Sequence, residues 1–281
     1  MPFSVDATNY NFELPEGSQC CIVDGSCRGK AITVKVFPNC DGKLDPKFRR
    51  EAMVLSHLAK KPLVGVCQLI GVTVHEHMSS IALEPFSTTL RTFLTECSFK
   101  NTSETKALFR DICRAVKHVH AAGVAHLDLN PDNILVDQAT RSVTLCNFIN
   151  SHISPKKLEK QDTVVVQNLI EAEFAGPQAL TNAALNPFLA DIYSLGCVYY
   201  YILRGSAPDV NDEGVVQSLD GLSPEAAVVI RMMLDSCPTK RPSIDDLIRH
   251  PSLAPKRVWK AVRTISPSFI SKHNPYTKLV N

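Results

Sequence analysis

"HLDLNPDNILV", residues 126–136, places a carboxylate, Asp128, and an amide, Asn133, five positions apart in front of an apolar run. Upstream, Leu108, Ile112, Ala115, Val116 and Val119 mark one face of a helix that Gly123 is suited to end. Downstream, "SVTLCNFIN" (142–150) is a second apolar run followed by the amide Asn147. The Asp/Asn pair therefore belongs to a loop that follows a helix and precedes a strand.

The 281 residues suit one large domain or two lobes sharing a cleft. A hydrophobic fraction of 44% and a charged fraction of 21% are those of a soluble globular protein, and a net charge of +2 marks no nucleic-acid partner. Ten cysteines occur without a CxxC pair or a Cys/His ligand spacing, so buried reduced thiols and a cytoplasmic location are expected rather than a zinc site. The start, "MPFSVDATNYNFELPEG", carries acids and no apolar segment, unlike a secretory signal. The longest apolar helical stretch, 192–203, is far below the roughly 20 residues of a membrane span, and none is expected.

Toward the N-terminus, "CCIVDG" and "AITVKVF" read as short β-branched strands, with Gly25 and Gly29 in a tight connection. "DPKFRREAMVLSHLAKKP" offers Asp45 as N-cap, Pro46 in the first turn, an apolar face of Phe48, Ala52, Leu55 and Ala59, and Pro62 as a stop. "CQLIGVTV" and "SSIALEPF" return to strand character before the hinge-like "EPFST". Beyond residue 87 the pattern is mainly helical. "ADIYSLGCVYYYILRG" is apolar all round, as for a buried helix, while Ser223 with Pro224 and Ser243 with Asp246 carry N-cap signals. The expected architecture is α+β and bilobal: an extension over 1–13, a small antiparallel β lobe with one helix over 14–86, a larger helical lobe over 87–253, and a basic tail over 254–281.

This order of parts resembles the protein kinase superfamily. The likeness spans about Leu14 to Leu253 and rests on several motifs rather than one. "FRREAMVLSHLAKKPLVGVCQLIGV" is similar to the tyrosine-kinase-like branch. "ADIYSLGCVYYYILRG" with "KRPSIDDLIRHPSL" is similar to the kinase half of the endoplasmic-reticulum stress sensor that carries a ribonuclease, for which the residues after Leu253 are too few. The resemblance implies that Lys35 of "ITVKVF" pairs with Glu51 of the following helix and with ATP phosphates. Such a pair at a solvated cleft is worth about 1 kcal/mol or less, so Lys35→Met is expected to leave the unliganded melting temperature nearly unchanged. Asp128 takes the role of the base for a substrate hydroxyl, and Asn133 that of an amide ligand for magnesium. Gly17, Ile22, Thr33, Lys35, Glu84, Phe86 and Leu135 are the implied nucleotide contacts, with Leu135 under the adenine. His126, Leu55, Phe148 and Asp191 are implied to align the lobes.

Other parts depart from the family. The charged magnesium ligand of the Asp-Phe-Gly triplet is replaced in Asn147-Phe148-Ile149, leaving neutral oxygens to hold the metal weakly or not at all. Of the phosphate-covering glycines only Gly17 remains, with Pro15 and Cys20 at the other two positions. Thr33 stands where a small alanine floors the adenine pocket. Leu127 replaces an arginine that receives an activation-segment phosphate, so a phosphate on Thr163 or Ser154 lacks that partner. Asn130 replaces a lysine, and Gln178 replaces the glutamate that would pair with Arg241. The expectation is a pseudokinase that binds ATP weakly, with little magnesium, and acts through unidentified protein partners. The alternatives are a slow serine/threonine kinase and a binding module that takes no nucleotide. The tail, with Trp259 and Phe269, is expected to form a last packed helix and a loose end.

Overall fold

In a computed structural model, residues 4–5, 20–96, 102–155, 157–165, 172–180, 184–211 and 216–253 are described. Pro15, Gly17 and the tail 254–281 lie outside them.

A short strand, Ser4–Val5 (β1), lies antiparallel to Ser26 and Gly25, inside what the sequence suggests is only an extension. Cys21–Cys27 (β2) and Lys30–Pro38 (β3) form a hairpin with Cys27 opposite Lys30. Its turn is Arg28 and Gly29, at φ 52° and 73°, and two positive values are what a tight primed turn demands. Gly25, expected in the connection, is instead within β2 opposite Ile32, because a two-residue turn lets the ladder run to its end.

Helix α1 (Pro46–Ala59) starts where expected: Asp45 Oδ1 accepts from the N–H groups of Lys47 and Phe48 at 2.6 and 3.1 Å. Its buried face is Phe48, Glu51, Val54, Leu55 and Leu58. Leu69–Val74 (β4) and Met78–Leu83 (β5) complete an antiparallel sheet in the order β1-β2-β3-β5-β4. β3 is covered on both faces. Ile32, Val34 and Val36 join Val23, Cys27 and Ala82 in one small core, while alternation turns Thr33, Lys35 and Phe37 to the other face, where Lys35 and Phe37 meet α1, Phe37 against Phe48 edge to face at 5.7 Å.

The helical lobe follows with Thr88–Thr89 (β6), Leu90–Glu96 (α2), Thr102–Ala121 (α3), Val124–Ala125 (β7), Ile134–Val136 (β8), Val143–Leu145 (β9), His152–Ile153 (β10), Val164–Val165 (β11), Ala184–Leu185 (β12), Pro187–Arg204 (α4), Pro224–Met233 (α5) and Ile244–Arg249 (α6). α4 begins earlier than its apolar run suggests, because Asn186 accepts from the N–H groups of Phe188 and Leu189 and Pro187 opens the first turn; Gly205 closes it at φ 78°. The lobes are tied at 65–67: Leu145 N–H donates to Gly65, and Cys67 N–H donates back to Leu145, at 2.9 and 3.0 Å. Gly65 is required there, since it sits at φ 80° and a Cβ would lie 2.8 Å from that of Ala115. No helix among the described residues is long and apolar enough to cross a membrane.

Candidate functional site

The loop from His126 to Asn133 is held from below by α4. Asp191, fully buried, accepts from the backbone N–H groups of His126 and Leu127 at 2.8 and 2.7 Å and lies 2.8 Å from His120 Nε2. Those bonds hold Leu127 at φ 62°, a conformation costing a leucine on the order of 1–3 kcal/mol. The His126 ring lies 4.8 Å from Phe148, with Nε2 2.9 Å from the Cys146 carbonyl. Of the expected column of Leu55, Phe148, His126 and Asp191, the last three are thus in contact, and Leu55 and Phe148 are buried in one core. Asn130 shapes the next turn: its Oδ1 accepts from the N–H groups of Asp132 and Asn133 at 2.9 and 3.1 Å. Arg91 clamps Asp132 from α2 at 2.8 Å.

Across the cleft, Lys35 and Glu51 meet at 2.6 Å to one carboxylate oxygen and 2.8 Å to the other. The pair is not solvated, as the sequence suggests, but 2% and 0% exposed, because Phe148 and the α1–sheet core close over it. Burial works against the Lys35 ammonium, but the charge and hydrogen bond of the Glu51 carboxylate, with smaller help from Cys20 and Cys146, together hold the lysine pKa above its ordinary value. The third ammonium proton points to Asn147 Oδ1 at 2.9 Å, and Glu51 Oε1 also accepts from Phe148 N–H at 3.0 Å.

Asn147 lies at φ 65°, a left-handed conformation that asparagine tolerates. Its amide is a two-way connector. Oδ1 faces Lys35, while Nδ2 donates to Asn133 Oδ1 at 3.0 Å and, at 3.5 Å, to Asp128 Oδ2. The orientation is fixed from both sides: Lys35 can only donate, and Asn133 spends its own Nδ2 on the Asp128 carbonyl at 2.8 Å, leaving Oδ1 to accept. The Asp128 carboxylate is surrounded by amides, Asn130 Nδ2 on Oδ1 at 3.0 Å and Asn150 Nδ2 on Oδ2 at 3.1 Å. Asn150 is the member that sequence reasoning misses, since no spacing or periodicity in "NFIN" singles it out. This donor set does not fit magnesium: the oxygens of Asn133 and Asn147 are both turned to internal donors, and the group nearest Asp128 from position 147 is an N–H.

The implied nucleotide contacts divide. Thr33 and Phe86 meet, with Phe86 N–H donating to Thr33 Oγ1 at 2.9 Å. Leu135 is buried in β8 and Phe86 packs half-buried on the same core, whereas Ile22, opposite Lys35 in the sheet, is 55% exposed and the Glu84 side chain is exposed. Gly17 lies outside the described residues. Leu127 packs with Leu185 and Val164, an apolar contact where the family has a cation. Arg241 Nη2 donates to Gln178 Oε1 at 3.0 Å, a bond from the guanidinium to a neutral amide in place of an ion pair.

A model of the protein kinase domain matches residues 14–253. Among curated proteins, the chain is 29% identical over 155 residues to a Wee1-like protein kinase of Oryza sativa subsp. japonica, covering 53% of this chain and 28% of that protein. It is 21% identical over 282 residues to mitogen-activated protein kinase 13 of Arabidopsis thaliana, covering 85% and 76%. To CBL-interacting protein kinase 21 of Oryza sativa subsp. japonica it is 30% identical over 157 residues, covering 52% and 29%. The match thus spans less than a third of two of these relatives. With the domain model running through both lobes, and with the small antiparallel sheet set against a helical lobe, this chain belongs to the protein kinase family.

Proposed function

We propose that this domain is a pseudokinase: it binds ATP weakly with little help from magnesium, transfers phosphate slowly or not at all, and acts by conformation and by binding other proteins. The observation that carries the reading is the amide of Asn147, whose Nδ2 reaches Asn133 and Asp128 while its Oδ1 takes Lys35. A carboxylate at that position would face Asp128 with like charge, and a cation between them would relieve the repulsion. The amide removes that demand by donating. Losing one unit charge about 4 Å from a divalent ion, at an effective dielectric of about 20, forfeits on the order of 4 kcal/mol per unit of cation charge, nearly three decades in rate. Lys35 supports the same reading, because three acceptors already face its three protons. Asn130, Asn147 and Asn150 compete with a substrate hydroxyl for the lone pairs of Asp128. Buried thiols at Cys27, Cys67, Cys113, Cys146 and Cys197 support a reducing compartment, the cytoplasm.

The test is Asn147→Asp. Wild-type protein is expected to bind ATP weakly and almost equally with and without magnesium, and the variant to bind it about tenfold more tightly with magnesium than without. Phosphorylation by the variant is expected to rise above a floor set by adding Asp128→Asn. Wild-type turnover equal to that of Asn147→Asp, and abolished by Asp128→Asn, would overturn the reading in favour of a slow serine/threonine kinase.

A further inference from the structure

Glu84, Pro85 and Phe86 link β5 to the helical lobe, and their backbone donors are spent. Glu84 N–H donates to the Gln68 carbonyl at 3.1 Å, Pro85 has none, and Phe86 N–H donates to Thr33 Oγ1 at 2.9 Å. Thr33 lies two residues before Lys35 and points to the same face of β3. That face meets Asn147 at Lys35 and the linker at Thr33. The Thr33 side chain is buried, and its backbone is already paired between β2 and β5, opposite Asp24 and Leu83. The sheet therefore does not need the hydroxyl.

The geometry points to Thr33 as a built-in competitor for the base of a ligand: its hydroxyl occupies the Phe86 N–H, so residues 84–86 offer no backbone donor to a heteroaromatic ring nitrogen. An adenine edge carries an amino donor beside a ring-nitrogen acceptor. Only the donor half finds a complementary carbonyl on such a linker, and the acceptor must displace Thr33, leaving a buried hydroxyl without its donor. The inference rests on the cleft being a nucleotide site. It concerns the base, whereas Asn147 concerns metal and phosphate.

Adenosine, which has no phosphate and needs no metal, is the probe, titrated calorimetrically into wild type, Thr33→Val and Thr33→Ser. Valine keeps the volume and the β-branched shape that suits a strand and removes only the hydroxyl. Thr33→Val is expected to bind adenosine about tenfold or more tightly than wild type, about 1.4 kcal/mol, and Thr33→Ser to remain at the wild-type value. 1-Deazaadenosine, whose ring carries carbon in place of that acceptor, is expected to bind wild type and Thr33→Val alike. Equal adenosine affinity in wild type and Thr33→Val, including no binding by either, would overturn the proposal, as would an equal gain for 1-deazaadenosine or for Thr33→Ser. Should Thr33→Val lose its cooperative melting, Thr33→Ala takes its place under the same criteria. Phosphoryl transfer by wild-type protein would sink the pseudokinase reading and leave this comparison intact.

Discussion

Lys35 has three ammonium protons, and acceptors stand within 2.9 Å for each: both oxygens of Glu51 and Oδ1 of Asn147. A buried pair of this kind behaves differently from a solvated one. Removing one partner strands the other charge at a cost of about 3–5 kcal/mol, whereas removing both and filling the space with apolar groups is close to neutral. Lys35→Met is therefore expected to lower unliganded stability by about 3 kcal/mol, and adding Glu51→Leu to recover most of it, although Phe148 N–H then loses its acceptor. Denaturant unfolding of the two single variants and the double variant measures this. Additive losses would mean that the pair is solvated after all and carries no coupling.

Among the elements, α4 organises the larger lobe, and its burial explains an apolar sequence with no polar stripe. One residue lets it pack closely: a Cβ on Gly196 would come within 2.7 Å of Leu234 Cδ2 and 3.0 Å of Met233 Cβ at the end of α5. Gly196→Ala gains helix propensity of up to about 1 kcal/mol but must push the two helices apart, and overpacking of a buried contact costs about 1–3 kcal/mol. The expected result is a net loss of about 1 kcal/mol, read as a lower denaturant midpoint with an unchanged slope. A gain in stability would show that the Leu234 side chain can swing aside.

At the scale of the whole molecule, the lobes share a single principal core, and His126 sits within it between Asp191 and Phe148. Burial pushes the imidazole pKa down from 6.5, against the pull of the Asp191 carboxylate. One ring nitrogen faces the Cys146 carbonyl and the other accepts from Asp128 N–H at 3.3 Å, so the neutral form satisfies both and protonation breaks the second. The unfolded chain thus binds the proton more readily than the native one. The His126 contribution is complete above about pH 6.5 and is lost as pH falls toward the lower folded value. The melting temperature is expected to fall over that range in wild type and to fall less in His126→Phe. Equal slopes in the two proteins would place the titration elsewhere, His152 being the next group with a lowered pKa.

The order of strands and helices was legible because it rests on local physics: Asp45, Ser223 and Ser243 carry capping oxygens, β3 is a β-branched run, and α3 shows its apolar face at helical spacing. Motif order likewise brought Lys35, Glu51, Asp128, Asn133 and Asn147 into one candidate site, since each sits in a recognisable local pattern. What sequence could not supply was the direction of polar atoms between segments distant along the chain. Asn150 meets Asp128 from 22 residues away, Asn147 turns an N–H rather than an oxygen toward it, and Phe86 spends its donor on Thr33 from 53 residues away. Side-chain identity alone does not say which amide atom faces which neighbour, because an asparagine donates and accepts equally well. That choice is made only when every buried donor must find an acceptor at once, and it is the packed tertiary structure that imposes the requirement.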